Sequence, residues 1–295
     1  MTKAVLTTAA GSGYDDLPEC QYHFPKTYLN QAQATVGDWV VYYEPRRAPA
    51  SSGATGRQAY FAIAQLVAVE PDTKYPDHYY ARMANYIAFD RPVPFREGAH
   101  YYESGLKRED GQTNKGAFRR SVRHLRDEDF AAILRAGFAR DLELWERDDA
   151  VNEAPAEYAS RPLTEQIVQR PFRDSAFRRH VRTAYENRCA VTGLRLINGG
   201  GRPEVQAAHI RPVHADGPDS IRNGLSLTGT IHWLFDRGLL TVDDHFNILL
   251  SPHGVPDEMD RLIPPDRQLT LPEHPEHRPH PAFLEWHREH VFKRE

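Results

Sequence analysis

The sequence predicts an α+β protein with two domains, and three observations lead to this prediction. The chain has 295 residues, more than one typical domain, and 40% of them are hydrophobic, enough for two globular cores. Residues 1 to about 105 contain short β-branched and aromatic runs between polar loops, which favours a small curved sheet or barrel. Residues 205–238 instead follow the order strand, loop, strand, helix.

The individual elements of the first half follow from runs of apolar residues. Strands are expected at residues 36–44, 59–69 and 79–87 and around 92–95. Residues 121–145 repeat apolar side chains at helical spacing, and Gly137 is expected to break this helix in two.

The domain boundary is expected where the pattern weakens. Residues 146–162 are acidic and show no clear periodicity, which is typical of a linker. We therefore expect a first domain at residues 1–150, a linker at 151–168 and a second domain at 169–295.

Composition restricts the environment and the partners of the chain. Two distant cysteines, Cys20 and Cys189, argue against a disulfide framework, and neither a signal peptide nor a membrane span is expected, so we predict a cytoplasmic protein. The net charge of −4 is unevenly spread: residues 161–240 carry twelve Arg, no Lys and seven acidic residues, a net charge of +5. Arginine suits phosphate because its planar guanidinium can bind two oxygens.

Three polar residues stand at defined positions within residues 205–238. His209 ends the first expected strand, Asn223 precedes the second, and His232 lies in a helix that Thr230 opens and Gly238 ends. A neutral histidine is a suitable general base near pH 7. His232 and Asp236 are four residues apart and share a helix face, where an imidazole and a carboxylate suit a divalent ion.

These residues resemble the HNH endonucleases, a ββα-metal nuclease family. The motifs Ala-Ala-His-Ile at 207–210, Asn-Gly-Leu at 223–225 and the run from His232 to Leu239 occur in family order with family-like gaps. The resemblance implies His209 as general base, Asn223 as the group that orients it and His232 as metal ligand. Mg²⁺ or Mn²⁺ is the expected ion, with Zn²⁺, Ni²⁺ or Co²⁺ as alternatives.

One position departs from the family pattern. Many members carry Asp or His directly before the base, where this chain has Ala208, which cannot bind metal. Either Gln206 or Asp236 completes the metal shell, or additional waters do. Asp236 is also a candidate salt-bridge partner of Arg237 or Arg211.

Phosphate contacts are expected from arginines near this motif. Arg178, Arg179 and Arg182 project together from one helix, and Arg211 follows the histidine motif.

The first half carries many aromatic residues in polar, proline-rich segments. Tyr22, Phe24 and Trp39 are the candidate rings of a pocket for a planar base, with Asp15 or Asp16 reading its exocyclic amino group. The segments 22–25, 37–41 and 61–65 are similar to EVE domains of the PUA-like superfamily, which implies a β-barrel that reads modified bases.

Together the two resemblances imply a modification-dependent restriction endonuclease. It would recognise 5-methyl- or 5-hydroxymethylcytosine in double-stranded DNA and cut the backbone at the HNH site. One active site cuts one strand, so a homodimer is expected. The alternatives are an HNH nickase that reads unmodified DNA, a catalytically inactive nucleic-acid binding protein and an RNA-directed module.

Overall fold

The computed structural model describes residues 2–9, 13–45, 56–144, 167 and 170–294. The chain divides into two compact units, Met1–Phe172 (unit 1) and Arg173–Glu295 (unit 2). The predicted linker, residues 151–168, lies outside the described residues except for Ile167, which is buried. In the described ranges, no helix is both long enough and apolar enough to cross a membrane.

Unit 1 is built on a six-stranded sheet that curls into a half barrel. Its strands are β1 (Ala4–Thr7), β2 (Gln21–Pro25), β3 (Trp39–Glu44), β4 (Ala59–Pro71), β5 (His78–Pro94) and β8 (Val122–His124); β6 (Arg96–Glu97) and β7 (His100–Tyr101) form a separate pair. The strand order is β2-β5-β4-β3-β1-β8, with β1 and β3 parallel and the other neighbours antiparallel. The mixed α+β class is confirmed, whereas a closed barrel of the EVE or PUA-like kind stays a prediction.

The helices of unit 1 pack against this sheet. Among the described residues they are α1 (Leu29–Thr35), α2 (Lys115–Phe118) and α3 (Asp127–Gly137), and helical residues resume at 139–144. The predicted break at Gly137 is confirmed. A Cβ at Gly137 would lie 2.5 Å from the Phe89 ring, so the helix end approaches β5 more closely than any side chain permits.

A buried ion pair crosses the core of unit 1. Arg123 donates from Nη2 to Glu103 Oε1 at 2.7 Å and from Nε to Oε2 at 2.9 Å, and the Tyr60 hydroxyl donates to Oε1 at 2.6 Å. Both charged side chains are only 6% exposed. Because each charge satisfies the other away from water, the loss of one partner would leave the other buried and uncompensated.

Unit 2 contains the predicted order of strand, loop, strand and helix. Its elements are most of α4 (Arg170–Ala184), which belongs to unit 2 from Arg173 onward, β9 (Gln206–His209), β10 (Gly224–Leu227), α5 (Gly229–Asp236), β11 (Leu240–Val242), β12 (Ile248–Leu250) and α6 (Pro281–His290). β9 pairs with β10 and β11 pairs with β12, both antiparallel. The predicted order of elements for residues 205–238 is therefore confirmed, although α5 begins at Gly229 with Thr228 as its N-cap, rather than at Thr230.

His287 fastens α6 to the rest of unit 2. Its ring stacks on Phe235 at a centroid distance of 3.8 Å, its Nε2 donates to the Phe235 carbonyl at 3.1 Å, and Nδ1 lies 2.8 Å from Thr241 Oγ1. The side chain is 2% exposed. Burial lowers the pKa of His287 from 6.5 to about 4, although the bond to the Phe235 carbonyl acts in the opposite direction.

This histidine should make the stability of unit 2 depend on pH. His287 binds a proton near pH 6.5 in the unfolded chain and only near pH 4 in the folded chain. Its contribution to the unfolding free energy is therefore complete above pH 6.5. As the pH falls from there to 4, unit 2 should lose about 3 kcal/mol of unfolding free energy. Denaturation of wild type and His287→Gln between pH 7 and 4.5 would measure it; equal pH slopes for both proteins would contradict the prediction.

Candidate functional site

The site is organised by the two-stranded sheet of β9 and β10. His209 lies opposite Gly224, and Gln206 lies opposite Leu227. Opposed residues of an antiparallel pair point to the same face, and successive residues alternate between faces. A Cβ at Gly224 would collide with Val181 Cγ2. The face that carries His209 therefore packs against α4, with no room between the strand and the helix.

His209 is held by side chains from α4 and from the loop between the strands. Its ring stacks on Phe177 at a centroid distance of 3.8 Å and an interplanar angle of 12°. Its Nε2 lies 2.9 Å from Asp219 Oδ1. Arg173 donates from Nε to the other oxygen, Oδ2, at 3.0 Å, and its Nη2 lies 2.9 Å from the same oxygen. The imidazole remains 21% exposed, so solvent reaches it, whereas the Asp219 side chain is only 1% exposed.

Asp219 is ionised in this setting. Burial alone would raise the pKa of its carboxyl group, but the hydrogen bond from His209 and the charge of Arg173 outweigh burial and hold the pKa below 3.8. A buried aspartate with a cation on one oxygen and an imidazole on the other is therefore a fixed hydrogen-bond acceptor.

Asn223 contacts the loop rather than the His209 ring. Its Oδ1 accepts a bond from the Arg211 amide at 2.9 Å, and its Nδ2 donates to the carbonyls of Arg211 and Pro218, both at 2.9 Å. The side chain is fully buried. Asn223 thus closes the loop that carries Asp219, and any effect on the orientation of His209 passes through that loop.

His232 lies on α5 and contacts the other face of the strand pair. Its Nδ1 is 3.0 Å from Gln206 Oε1, and its Nε2 is 3.4 Å from Asp236 Oδ2. The i to i+4 spacing brings His232 and Asp236 together, as predicted from the sequence. Glu204 accepts a bond from the Gly229 amide at 2.9 Å, which satisfies one free amide at the start of α5.

The donors in this cluster suit a divalent ion bound largely by water. The nitrogen and the carboxylate oxygen that face each other are ligand types used for Mg²⁺, Mn²⁺ and Zn²⁺. A Gln206 oxygen that accepts from Nδ1 would hold the proton there and leave Nε2 for the metal. Within the described part of the chain, no three His, Cys, Asp or Glu side chains form a metal-binding group. Water and substrate oxygens would therefore complete the shell.

His209 and Gln206, the residue that contacts His232, stand three positions apart on β9. Strand alternation puts His209 on the α4 face, whereas Gln206, which contacts His232, points to the other face. Three residues of strand span about 10 Å. The structure thus forms two polar clusters on one hairpin, and hydrolysis requires that a single phosphate reach both.

Arginines line a groove beside β9. The groove has a volume of about 710 Å³, and its lining includes Arg178, Arg182, Arg202 and Gln206. Burial and the neighbouring charges of Arg178, Arg179 and Arg202 lower the pKa of Arg182. This crowding of like charges indicates a surface that would favour an anion.

Arg211, the fourth predicted phosphate contact, lies in a different environment. Its Nε donates to the Ala215 carbonyl at 2.6 Å, and its guanidinium carbon lies 5.8 Å from the centroid of the Trp286 ring. These contacts tie Arg211 to its own loop and to α6.

The structure corrects two of the predicted base-pocket residues in unit 1. Tyr22 and Phe24 belong to the hydrophobic core, where Phe24 is 0% exposed and Tyr22 donates its hydroxyl to the Thr7 carbonyl at 3.0 Å. Strand β2 pairs with β5 and turns both rings inward, so neither presents a face to a ligand.

The other three pocket candidates lie at or near the surface. Trp39 is half-buried on β3 and is opposite Gln65. Asp15 is exposed and accepts a bond from Gln21 Nε2 at 3.0 Å. Asp16 accepts bonds from Thr8 Oγ1 and from the His23 amide, both at 2.9 Å, and burial raises its pKa above 3.8 despite these bonds.

A cluster of rings that the sequence did not single out lies around His23. Tyr80 stacks on His23 at 4.6 Å, and Tyr14 contacts it edge-on at 5.5 Å. His23 Nε2 lies 3.0 Å from Asp72 Oδ2. Tyr14 and the neighbouring Tyr75 are 43% and 59% exposed. We call Tyr14, His23, Tyr75, His78 and Tyr80 the tyrosine–histidine cluster.

Comparison with known proteins identifies the class of the second unit. The family profile of the HNH endonucleases matches residues 189–243, which include His209, Asn223, His232 and Asp236. Residues 189–243 are therefore an HNH endonuclease domain. The comparison with curated proteins finds no match to the chain.

Solved structures with some similarity include two restriction enzymes. The modification-dependent TagI restriction endonuclease has 16% identity and a TM-score of 0.33, with 97% of this chain and 81% of that chain covered. The Type IV phosphorothioation-dependent restriction endonuclease ScoMcrA has 14% identity and a TM-score of 0.19, over 78% and 48%. Rpa0253 from Rhodopseudomonas palustris has 13% identity and a TM-score of 0.31, over 46% and 93%.

Sequence reasoning missed Asp219 and Arg173. Asp219 follows Gly217-Pro218 and has the sequence appearance of a turn residue. Its position between His209 and Asn223 is a signal for it in the sequence, but Asp216 shares that signal.

Proposed function

We propose that the protein is a metal-dependent HNH restriction endonuclease that cuts double-stranded DNA containing 5-methyl- or 5-hydroxymethylcytosine. The observation that carries the nuclease part is the HNH endonuclease match at residues 189–243, which contains the hairpin with His209 and the helix with His232 and Asp236. Phosphodiester hydrolysis needs a base for water and a positive charge for the oxygens, and these residues can provide both.

In this proposal the two clusters have separate tasks at a single phosphate. His209, partly exposed and stacked on Phe177, accepts a proton from the attacking water. His232 and Asp236 hold a divalent ion, which would stabilise negative charge on the phosphate and the leaving 3′ oxygen. Gln206 fixes the ring of His232. Asn223 closes the loop beside His209.

The arginine groove would hold the DNA backbone. The Arg182→Gln and Arg178→Gln variants should each bind DNA more weakly and reduce the slope of log affinity against log salt by about 1. Fluorescence anisotropy over a salt series would measure this. Arg261→Gln, which removes an exposed arginine outside the groove lining, is the matched control. Equal salt slopes for all three variants would show that the DNA backbone does not bind in the arginine groove.

Recognition of the modified cytosine is assigned to unit 1. The resemblance to EVE domains supports this, and so does the tyrosine–histidine cluster, whose exposed Tyr14 and Tyr75 offer rings for an unstacked base. Asp15 lies next to this cluster and its Oδ2 is 3.4 Å from the Tyr80 hydroxyl, so it can accept a hydrogen bond from an exocyclic amino group.

Cleavage of defined duplexes tests the proposal. Plasmids and oligonucleotides with cytosine, 5-methylcytosine or 5-hydroxymethylcytosine are digested with Mg²⁺, Mn²⁺ or EDTA. We expect cleavage of the modified substrates but not of unmodified DNA, and we expect EDTA to abolish this cleavage. Equal cutting of all substrates would remove the reader function, and intact substrates in every metal would favour a binding protein that has lost activity, consistent with Ala208.

The same plasmid digestion tests the homodimer. One catalytic site per chain cuts one strand, so linear product at a rate that rises with the square of protein concentration supports paired chains. Nicked circles as the sole product would indicate a nickase that acts as a monomer.

A further inference from the structure

The contact between His209 and Asp219 fixes more than the position of the ring. Asp219 uses its two oxygens for different partners: Oδ1 lies 2.9 Å from His209 Nε2, and Oδ2 accepts a hydrogen bond from Arg173 Nε and forms an ion pair with its Nη2. An ionised carboxylate can only accept hydrogen bonds. In a neutral imidazole, the nitrogen that faces Asp219 must therefore carry the hydrogen.

Two further contacts fix the plane of the ring and the position of its acceptor. The Phe177 ring lies flat against it at 3.8 Å, so rotation out of this plane would break the stack. The loop that carries Asp219 is closed by Asn223, which binds the carbonyl of Pro218, the residue directly before Asp219. The acceptor and the ring plane are thus fixed by different elements, the loop and α4.

We propose that Asp219, itself anchored by Arg173, is a positioning residue that keeps His209 as the Nε2–H tautomer and thereby assigns Nδ1 as the atom that accepts the proton from water. This inference rests on the proposed nuclease function. The water proton goes to Nδ1 while the water oxygen bonds to phosphorus, and the bond from phosphorus to the 3′ oxygen breaks. The 3′ oxygen then takes a proton from solvent, and Nδ1 returns its proton to solvent.

The pair of Asp219 and Arg173 makes the Asp219→Asn variant diagnostic. Arg173 has only donors, so the carbonyl oxygen of the introduced amide must turn towards it. The amide NH₂ group then faces His209 Nε2 and donates to it, which moves the ring hydrogen to Nδ1. The atom that should accept the proton is then blocked, although the side chain has almost the same shape.

The test reads the tautomer directly and independently of cleavage. Long-range ¹H–¹⁵N spectra of histidine-labelled full-length protein are recorded for wild type, with His209→Gln identifying the signal among fifteen histidines. Wild type should show hydrogen on Nε2, and Asp219→Asn should show it on Nδ1. Single-turnover cleavage by this variant should fall about 10³- to 10⁴-fold, the range for a catalytic histidine held in the wrong tautomer.

Asp243→Asn is the matched control. Asp243 is also a hydrogen-bonded carboxylate in unit 2, but its partners are Asn247 and the His245 amide. The Asp243→Asn variant should keep the wild-type tautomer of His209 and the wild-type rate of DNA cleavage.

Each outcome gives a definite answer. A hydrogen on His209 Nδ1 in the wild-type protein overturns the inference. This measurement needs no variant, so it remains decisive even when Asp219→Asn does not fold. An unchanged tautomer or an unchanged rate in a folded Asp219→Asn variant also overturns it. A wild-type protein that cuts no DNA removes the proposed function instead, even where the tautomer is the expected one.

Discussion

Replacement of His209 with alanine should reduce single-turnover DNA cleavage about 10²- to 10⁴-fold while the fold and DNA affinity are retained. The reason is that no other described histidine occupies the α4 face of the hairpin in stacking contact with Phe177. Removal of a general base typically costs this much in rate. The measurement is the rate constant for cleavage of saturated substrate, with the melting temperature recorded alongside.

The control for this variant is His245→Ala. His245 is an exposed residue in the turn between β11 and β12, where its amide donates to Asp243. It should cut like wild type. Retention of more than a tenth of the wild-type rate by His209→Ala would exclude His209 as the base.

Replacement of Glu103 with alanine should destabilise unit 1 by about 3–5 kcal/mol. Arg123 would be left as an unpaired cation that is 6% exposed, and the Tyr60 hydroxyl would lose its acceptor. Hydrogen exchange of peptides from β3 and β4 over a urea series would report the unfolding free energy of this unit.

The Glu70→Ala variant separates burial from charge. Glu70 pairs with Arg82 at 2.8 Å, but the two side chains are 52% and 41% exposed. Its loss should cost less than about 1 kcal/mol because water screens the pair. If Glu103→Ala and Glu70→Ala lower the unfolding free energy equally, burial of the Glu103–Arg123 pair does not add to its contribution.

The strands of unit 1 were predictable where their hydrophobic pattern is continuous. Residues 36–44 and 59–69 form β3 and β4 close to the expected bounds. The two runs at 79–87 and 92–95 are one strand, β5, because β4 offers a partner along the whole length with bulges absorbing the irregularities. Local sequence does not report the length of a partner strand.

Strand β8 shows the same limit in a stronger form. Residues 122–124 were expected to begin a helix, yet they pair with β1. Val122 and Arg123 align with Leu6 and Val5. A three-residue strand carries almost no periodicity of its own, so a distant partner decides its structure.

The functional residues divide in a similar way. The positions of His209, Asn223, His232 and Asp236 follow local patterns of strand ends and helix spacing, and their predicted elements are present. Their catalytic roles remain predictions. Asp219 and Arg173 were not predictable because their role depends on a tertiary contact between a loop and a helix.

The placement of Tyr22 and Phe24 failed for a related reason. Polar and proline neighbours suggested an exposed segment, but alternation along β2 and pairing with β5 bury both rings. Composition of a segment does not determine which of its side chains face the core.

The bare backbone of Gly224 sets the separation between the hairpin and α4. A methyl group there would meet Val181 and would also lie 3.2 Å from the Phe177 ring, the ring on which His209 rests. Any side chain at this position would displace the helix that supplies both the stacking surface and the guanidinium behind Asp219. Even a single added methyl group, directly across the strand pair from His209, would thereby slow cleavage, and homologues that keep the same spacing should tolerate no larger residue at that point.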